Sequence, residues 1–348
     1  AALPLVGDAR ETLTELHAVL DARGWGGVGA ERRERIATLR SAWHEESTRV
    51  LHLAAETHVS QPEAIRLVNE ALGDDGIVVC AAGGLPGDMH KLWRPATRGS
   101  YHMEYGNSTM GYEIAGGIGV AMAEPERRVH VMVGDGSYLM LSNEILTARQ
   151  EGVGLTIVLL DNHGFRCIRN LSGACGADNP FNDFRARDPQ TGTFTGEVLP
   201  IDFAANAASL GAEVLEADTP AELEAALRDA RAVTDRPAVI VVETNPEPGV
   251  PAYDSWWDVP VAEVSASERV QAARAEYEEN LKKERSFVEW REPWATSRSR
   301  RRPCRGASSS RPRATRCSWS PSRCSTRWRR QGTPAPSWAP RATSATPP

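Results

Sequence analysis

The chain has 348 residues, 41% hydrophobic and 25% charged, and no run of eighteen apolar residues, which is globular composition and excludes a membrane-spanning helix. Its net charge of −6 is uneven: residues 295–348 hold 13 Arg and no Lys, Asp or Glu, leaving 27 basic and 46 acidic residues elsewhere, net −19. An acidic body argues against nucleic-acid binding by the folded part, and six cysteines without a CxxC pair fit a reduced, cytoplasmic protein.

Leu3–Val6 predicts the end of a strand, Gly7-Asp8 a turn, and Ala9–Leu20 a helix with Leu13, Leu16 and Leu20 at helical spacing. A unit this small cannot bury its own face, and the chain does not start with Met. Residues 1–30 are therefore expected to close a domain that begins upstream. Residues 31–59 are charged and helix-prone, as a connector would be. Ser60-Gln61-Pro62-Glu63 then announces a helix, with Ser60 as cap and Pro in the first turn.

From 60 to 250 strands and helices alternate. The strands are Ile77–Ala82, Val129–Val133, Leu155–Leu160, Glu213–Leu215 and Ala238–Glu243. The helices are Gly111–Ala123, Tyr138–Glu151, Asp202–Leu210 and Pro220–Val233. Strands apolar throughout and separated by helices predict an α/β domain, a parallel sheet flanked by helices. Residues 251–292 read as a C-terminal arm, helical over 265–285. From 295 onward there is no Leu, Val, Ile, Met, Phe or Tyr, so the tail from 293 is expected to be disordered. A nucleic-acid-binding Arg/Ser tail is one reading of it. A shifted reading frame of a GC-rich gene accounts better for three Cys and three Trp scattered among Arg, Ser and Pro.

The chemistry-bearing signal is a pair of loops. Gly134-Asp135-Gly136-Ser137 follows the strand Val129–Val133, and Asp161-Asn162-His163-Gly164 follows Leu155–Leu160. Both fall at carboxyl ends of parallel strands, where open α/β sheets bind ligands. Magnesium wants six oxygens. Asp135 offers a carboxylate, Asn162 an amide oxygen and Gly164 a backbone carbonyl. Gly134 and Gly136 leave room for a phosphate, and the amides opening the next helix face an anion. A plain strand-to-helix turn with an Asx cap explains the first loop alone, but not the pair.

The pair resembles the thiamine-diphosphate (ThDP) motif of the acetolactate synthase and pyruvate decarboxylase superfamily, GDG followed by a loop ending in Asn-Asn. Asp161 departs from that pattern; Asn162 keeps the ligand position. The resemblance implies ThDP and Mg2+ as cofactors. It makes Met110, in Asn107-Ser108-Thr109-Met110-Gly111, the apolar residue under the cofactor, and the Ser108 carbonyl the acceptor for its aminopyrimidine. Core packing is the plainer reading of Met110. Gly83, Gly84 and Leu85 map to a second diphosphate contact, with an ordinary turn as the alternative. Ser137 closes the first loop. Of the nearby His90, His102, Glu104, Tyr105 and His163, only His90 and His163 are placed to touch substrate.

Over most of residues 1–290 the sequence is similar to one branch, the trihydroxycyclohexane-dione hydrolases of myo-inositol catabolism. The segments that carry the likeness are Val79–Ala82, Leu85–Asp88, His90–Trp93, Glu104–Gly106, Met110–Gly117, Leu160–Phe165, Asp202–Gly211 and Trp256–Val259. The resemblance implies ThDP- and Mg2+-dependent hydrolytic opening of a cyclic 1,2-diketone, in a homodimer or tetramer. It also implies a preceding pyrimidine-binding domain whose glutamate activates ThDP. No residue here takes that catalytic role, so this chain alone is expected to be inactive. The alternatives are an acetolactate synthase-like or decarboxylase-like ThDP lyase, and a nonfunctional gene remnant.

Overall fold

The structure, a computed structural model, describes residues 6–177, 180–253 and 259–284. Helix α1 (Ala9–Ala22) is capped by Asp8 and buries none of its side chains. Helix α2 (Ala30–Leu51) follows and buries only its last turn, at Ser47, Val50 and Leu51. Then come β1 (Val59–Ser60), α3 (Gln61–Leu72), β2 (Ile77–Cys80), α4 (Gly84–Leu92) and β3 (Tyr101–Met103). The middle of the chain forms α5 (Tyr112–Ala123), β4 (Val129–Gly134), α6 (Asp135–Leu141), α7 (Glu144–Glu151), β5 (Leu155–Asp161) and α8 (Arg166–Ala174). The last elements are α9 (Phe203–Ser209), β6 (Glu213–Ala217), α10 (Pro220–Asp229), β7 (Pro237–Asn245) and α11 (Glu268–Leu281).

All strand pairs are parallel, in the order β1-β7-β5-β4-β2-β3. β6 pairs with Ala238–Val242 of β7, alongside the stretch that precedes its contact with β1. Alternate residues of each strand supply two separate cores. Val78, Met132, Val158, Leu160 and Ile240 pack with α3, α4 and α10. Val79, Val131, Ile157, Leu159 and Val239 pack with α5, α7 and α9. Every residue of β5 is buried because both its faces are covered, which is why the strand carries no polar alternation. Helix α5 lies close on the sheet: a Cβ on Gly117 would come within 2.2 Å of Val131 Cγ2.

The α/β class and the parallel sheet agree with expectation; several local features differ. The helix expected over 138–151 begins at Asp135 and breaks at Ser142-Asn143, two poor helix formers, into α6 and α7. The segment after β2, read as a loop with an ordinary turn as the alternative, opens α4 from Gly84. Pro86 falls in its first turn, where the missing amide costs nothing, and Leu85, Met89 and Leu92 are buried beneath it. The edge strand β3 and helix α8 have no counterpart in the sequence reading. Ser60 does cap α3, accepting the Glu63 amide at 3.2 Å. The arm helix appears as α11. Leu3–Leu5, Trp256-Trp257-Asp258 and the tail from 293 lie outside the described residues. No helix of the described residues is long and apolar enough to cross a membrane.

One core residue conflicts with its surroundings. His130 of β4 is 2% exposed, and neither ring nitrogen has a hydrogen-bond partner. Burial, helped by Arg231 and Arg128, pushes its pKa down to about 4. The unfolded chain therefore takes up this proton first as pH falls, and stability drains between the ordinary histidine value and about 4. His130→Leu removes two unpaired polar atoms. We expect it to raise Tm at pH 7 and to shrink the loss of Tm between about pH 6.5 and 4.5, as followed by circular dichroism.

Candidate functional site

The strand order reverses beside β2: β3 lies on one side of it and β4 on the other. α4 leaves β2 toward one core and α6 leaves β4 toward the other. A crevice therefore opens outside the carboxyl ends of these strands, the usual ligand position in such sheets. Gly134 pairs with Leu160, so the loops after β4 and β5 start level. That register makes neighbours of Asp135 and Asn162, which are 27 residues apart in sequence.

Asp135 is the hinge of the two loops. Its Oδ2 accepts the amides of Asn162 at 3.1 Å and Gly164 at 2.9 Å, and its Oδ1 accepts its neighbour Gly136 at 2.5 Å. Burial pushes its pKa up to about 7; the Gly164 amide opposes this and the nearby Asp161 carboxyl adds to it. Asn162 Oδ1 is buried and has no hydrogen-bond partner in the protein. An unpaired buried acceptor is costly. A divalent cation beside Asp135 would satisfy it and remove the repulsion between the two acids. The Gly164 carbonyl accepts the Arg166 amide at 3.0 Å and keeps a second lone pair. The residues present therefore fit a hard cation.

The glycines divide by role. A Cβ on Gly134 or Gly83 would meet nothing within 4 Å, so these backbones border open space. Gly83 precedes α4 with φ 97°, and no side chain caps this helix, so its first-turn amides are available to an anion. Gly136 behaves differently from expectation. A Cβ there would lie 2.5 Å from the Phe165 ring, so its small size serves packing, and its amide is taken by Asp135. At Gly164 a Cβ would strike Asn182 O at 2.2 Å. Leu85 points into the core, leaving only its backbone to face the crevice.

Ser108 is exposed and left-handed, with φ 51°. Met110 is half-buried and belongs to neither core, which removes the packing explanation. Glu104 shapes this loop from outside, accepting the amides of Asn107 at 2.9 Å and Thr109 at 2.7 Å. His90 is exposed on α4, its ring 5.4 Å from that of Tyr105. His102 bonds the Tyr112 hydroxyl at 2.6 Å.

His163 sits between two acids, 2.7 Å from Glu243 Oε1 and 3.5 Å from Asp161 Oδ1. Burial acts to lower its pKa, but Asp161 and Glu243 outweigh it and hold it above the ordinary value. Asp161, His163 and Glu243 bring their ligand atoms within 4.8 Å of one another. Glu243 and the buried Glu113 were not singled out from sequence. Each lies in an apolar or small-residue element, and only the fold turns it toward the loops.

Residues 81–242 match the family of the thiamine pyrophosphate enzyme, C-terminal TPP binding domain. These residues are thus related to the C-terminal domain of the thiamine pyrophosphate enzymes. More narrowly, the chain is homologous to the 3D-(3,5/4)-trihydroxycyclohexane-1,2-dione hydrolases. That of Clostridium perfringens is 37% identical over 306 residues, 81% of this chain and 47% of that protein. That of Geobacillus thermodenitrificans is 44% identical over 231 residues, 66% of this chain and 36% of that protein. The second such hydrolase of Bacillus cereus is 36% identical over 310 residues, 82% and 48% of the two chains. The chain thus spans about half the length of the curated relatives it matches.

Because Asn162 Oδ1 holds nothing in the protein, Asn162→Ala should leave Tm nearly unchanged. It should weaken Mg2+-dependent uptake of ThDP by at least about tenfold, read by isothermal titration calorimetry.

Proposed function

We propose that this chain is the diphosphate- and metal-binding part of a ThDP-dependent hydrolase that opens a cyclic 1,2-diketone, trihydroxycyclohexane-1,2-dione, to 5-deoxy-glucuronate. The observation that carries the cofactor half of this reading is the orphaned, buried Asn162 Oδ1 beside Asp135. Homology to the dione hydrolases supports the substrate half. Bound ThDP supplies an electron sink for breaking a carbon–carbon bond next to a carbonyl.

The chain's own residues bind and orient. Asp135, Asn162 and the Gly164 carbonyl hold Mg2+, which neutralises the diphosphate. Gly83, Gly84 and the Leu85 backbone, at the open end of α4, receive its other oxygens, with Gly134, Gly136 and Ser137 forming the facing wall. The Ser108 carbonyl accepts from the aminopyrimidine, and Met110 supports the rings from beneath. His163, held between Asp161 and Glu243, and His90 face the substrate side. The glutamate that activates the cofactor belongs to a pyrimidine-binding domain, and the complete site lies between subunits of a homodimer or tetramer.

A second reading, an acetolactate synthase-like or decarboxylase-like lyase, shares the GDG and Asn162 loops and differs in substrate. The test is substrate choice with Mg2+ and ThDP present. This chain joined behind the N-terminal half of the Clostridium perfringens relative is expected to consume the dione and ignore pyruvate. Acetolactate formed from pyruvate would instead establish the lyase. The chain by itself should turn over neither, and dione hydrolysis by it alone would refute the need for a second domain.

A further inference from the structure

Glu113 lies in the first turn of α5 and is 1% exposed. Its carboxylate reaches three loops. Oε1 accepts the Ala82 amide, just past β2, at 3.2 Å. Oε2 accepts the Gly111 amide, at the end of the Ser108–Met110 loop, at 3.0 Å. Both oxygens lie 2.8 Å from the Ser137 hydroxyl, in the loop after β4. Ser137 Oγ in turn accepts the Gly111 amide at 2.8 Å. Gly111 can approach so closely because it has φ 90° and no Cβ; a Cβ there would press on Leu141 Cβ at 3.1 Å.

These three loops are the ones assigned above to the far diphosphate contact, the aminopyrimidine and ring support, and the wall beside the metal. They follow β2, β3 and β4, and because β3 and β4 lie on opposite sides of β2 they meet at the point where the strand order reverses. We propose that Glu113 is the positioning residue of the cofactor crevice, setting the three loops in register by bonding to all of them at once. It touches neither metal nor cofactor and acts through Ala82, Gly111 and Ser137. The inference rests on the ThDP reading for its consequence, but the linkage itself does not.

The geometry requires an acid. Every partner is a donor, two backbone N–H groups and one O–H, and an ionised carboxylate accepts from all of them. A glutamine of the same shape turns its NH2 toward at least one donor. A shorter aspartate keeps the charge and cannot span all three loops.

Two measurements test this on Glu113→Gln, Ser137→Ala, the double variant and Leu227→Ala. The last is a core control on α10, away from the crevice. Hydrogen exchange without ligand comes first: in E113Q the Ala82 and Gly111 amides should exchange at least about tenfold faster, with little added by S137A, since the two side chains act as one unit. Calorimetry with Mg2+ and ThDP follows: E113Q should raise Kd at least about tenfold, whereas L227A lowers Tm and leaves Kd unchanged. If E113Q does not fold, S137A, which keeps the acid and removes one of the two acceptors of the Gly111 amide, must show the same two changes more weakly. Unchanged exchange, an unchanged Kd, or an equal loss of binding in L227A overturns the proposal. If the unsubstituted chain takes up no ThDP, the functional reading falls, and the exchange rates alone decide whether Glu113 ties the loops.

Discussion

The parallel pairing of β4 with β5 is the constraint on which the site depends. Five residue pairs, from His130–Thr156 to Gly134–Leu160, bring both strands to the sheet edge at the same level. A slip of one residue would turn each core face of β5 to the opposite side, so burial on both faces holds the register. With that register set, the Asp135 carboxylate reaches the amides of Asn162 and Gly164 directly. The loops are thus spaced by backbone pairing and bonded by one buried acid.

The edge of the crevice is rich in acids. Asp135, Asp161 and Glu113 are all buried there, with Glu243 close behind through His163. Glu113 is satisfied by donors from three loops and needs nothing further. Asp135 and Asp161 are different. Their mutual repulsion and burial drive the Asp135 carboxyl toward neutrality, and the amide oxygen beside them has no partner. This pair is therefore suited to a cation while the Glu113 network is suited to holding shape.

The 104–111 loop shows the same division on a smaller scale. Glu104 collects the Asn107 and Thr109 amides from the solvent side, and Glu113 takes the Gly111 amide from the buried side. Between them Ser108 and Gly111 adopt positive φ, and Met110 is half-buried and belongs to neither core. The likeness to the dione hydrolases extends over 81% of this chain, a longer stretch than the matched cofactor domain alone.

Much of this was legible in the sequence. Buried parallel strands are apolar on every residue, so β2, β4, β5 and β7 stand out as short runs, and glycines with Asp135 and Asn162 mark the loops that follow them. The three-residue β3 has no such run, because Tyr101, His102 and Met103 are only half-buried at an edge. Gly84, Pro86 and Gly87 imitate a turn, because local propensity cannot register the buried Leu85, Met89 and Leu92 that make this segment a helix. The sequence by itself determined the fold class and the two loops that carry Asp135 and Asn162, since these depend on local patterns of burial and backbone freedom. Only the tertiary structure decided which loops meet, that Phe165 packs against Gly136, and that Glu113 joins three of them. Those facts depend on a strand order that reverses beside β2, and no local pattern encodes contacts between segments 26 and 31 residues apart.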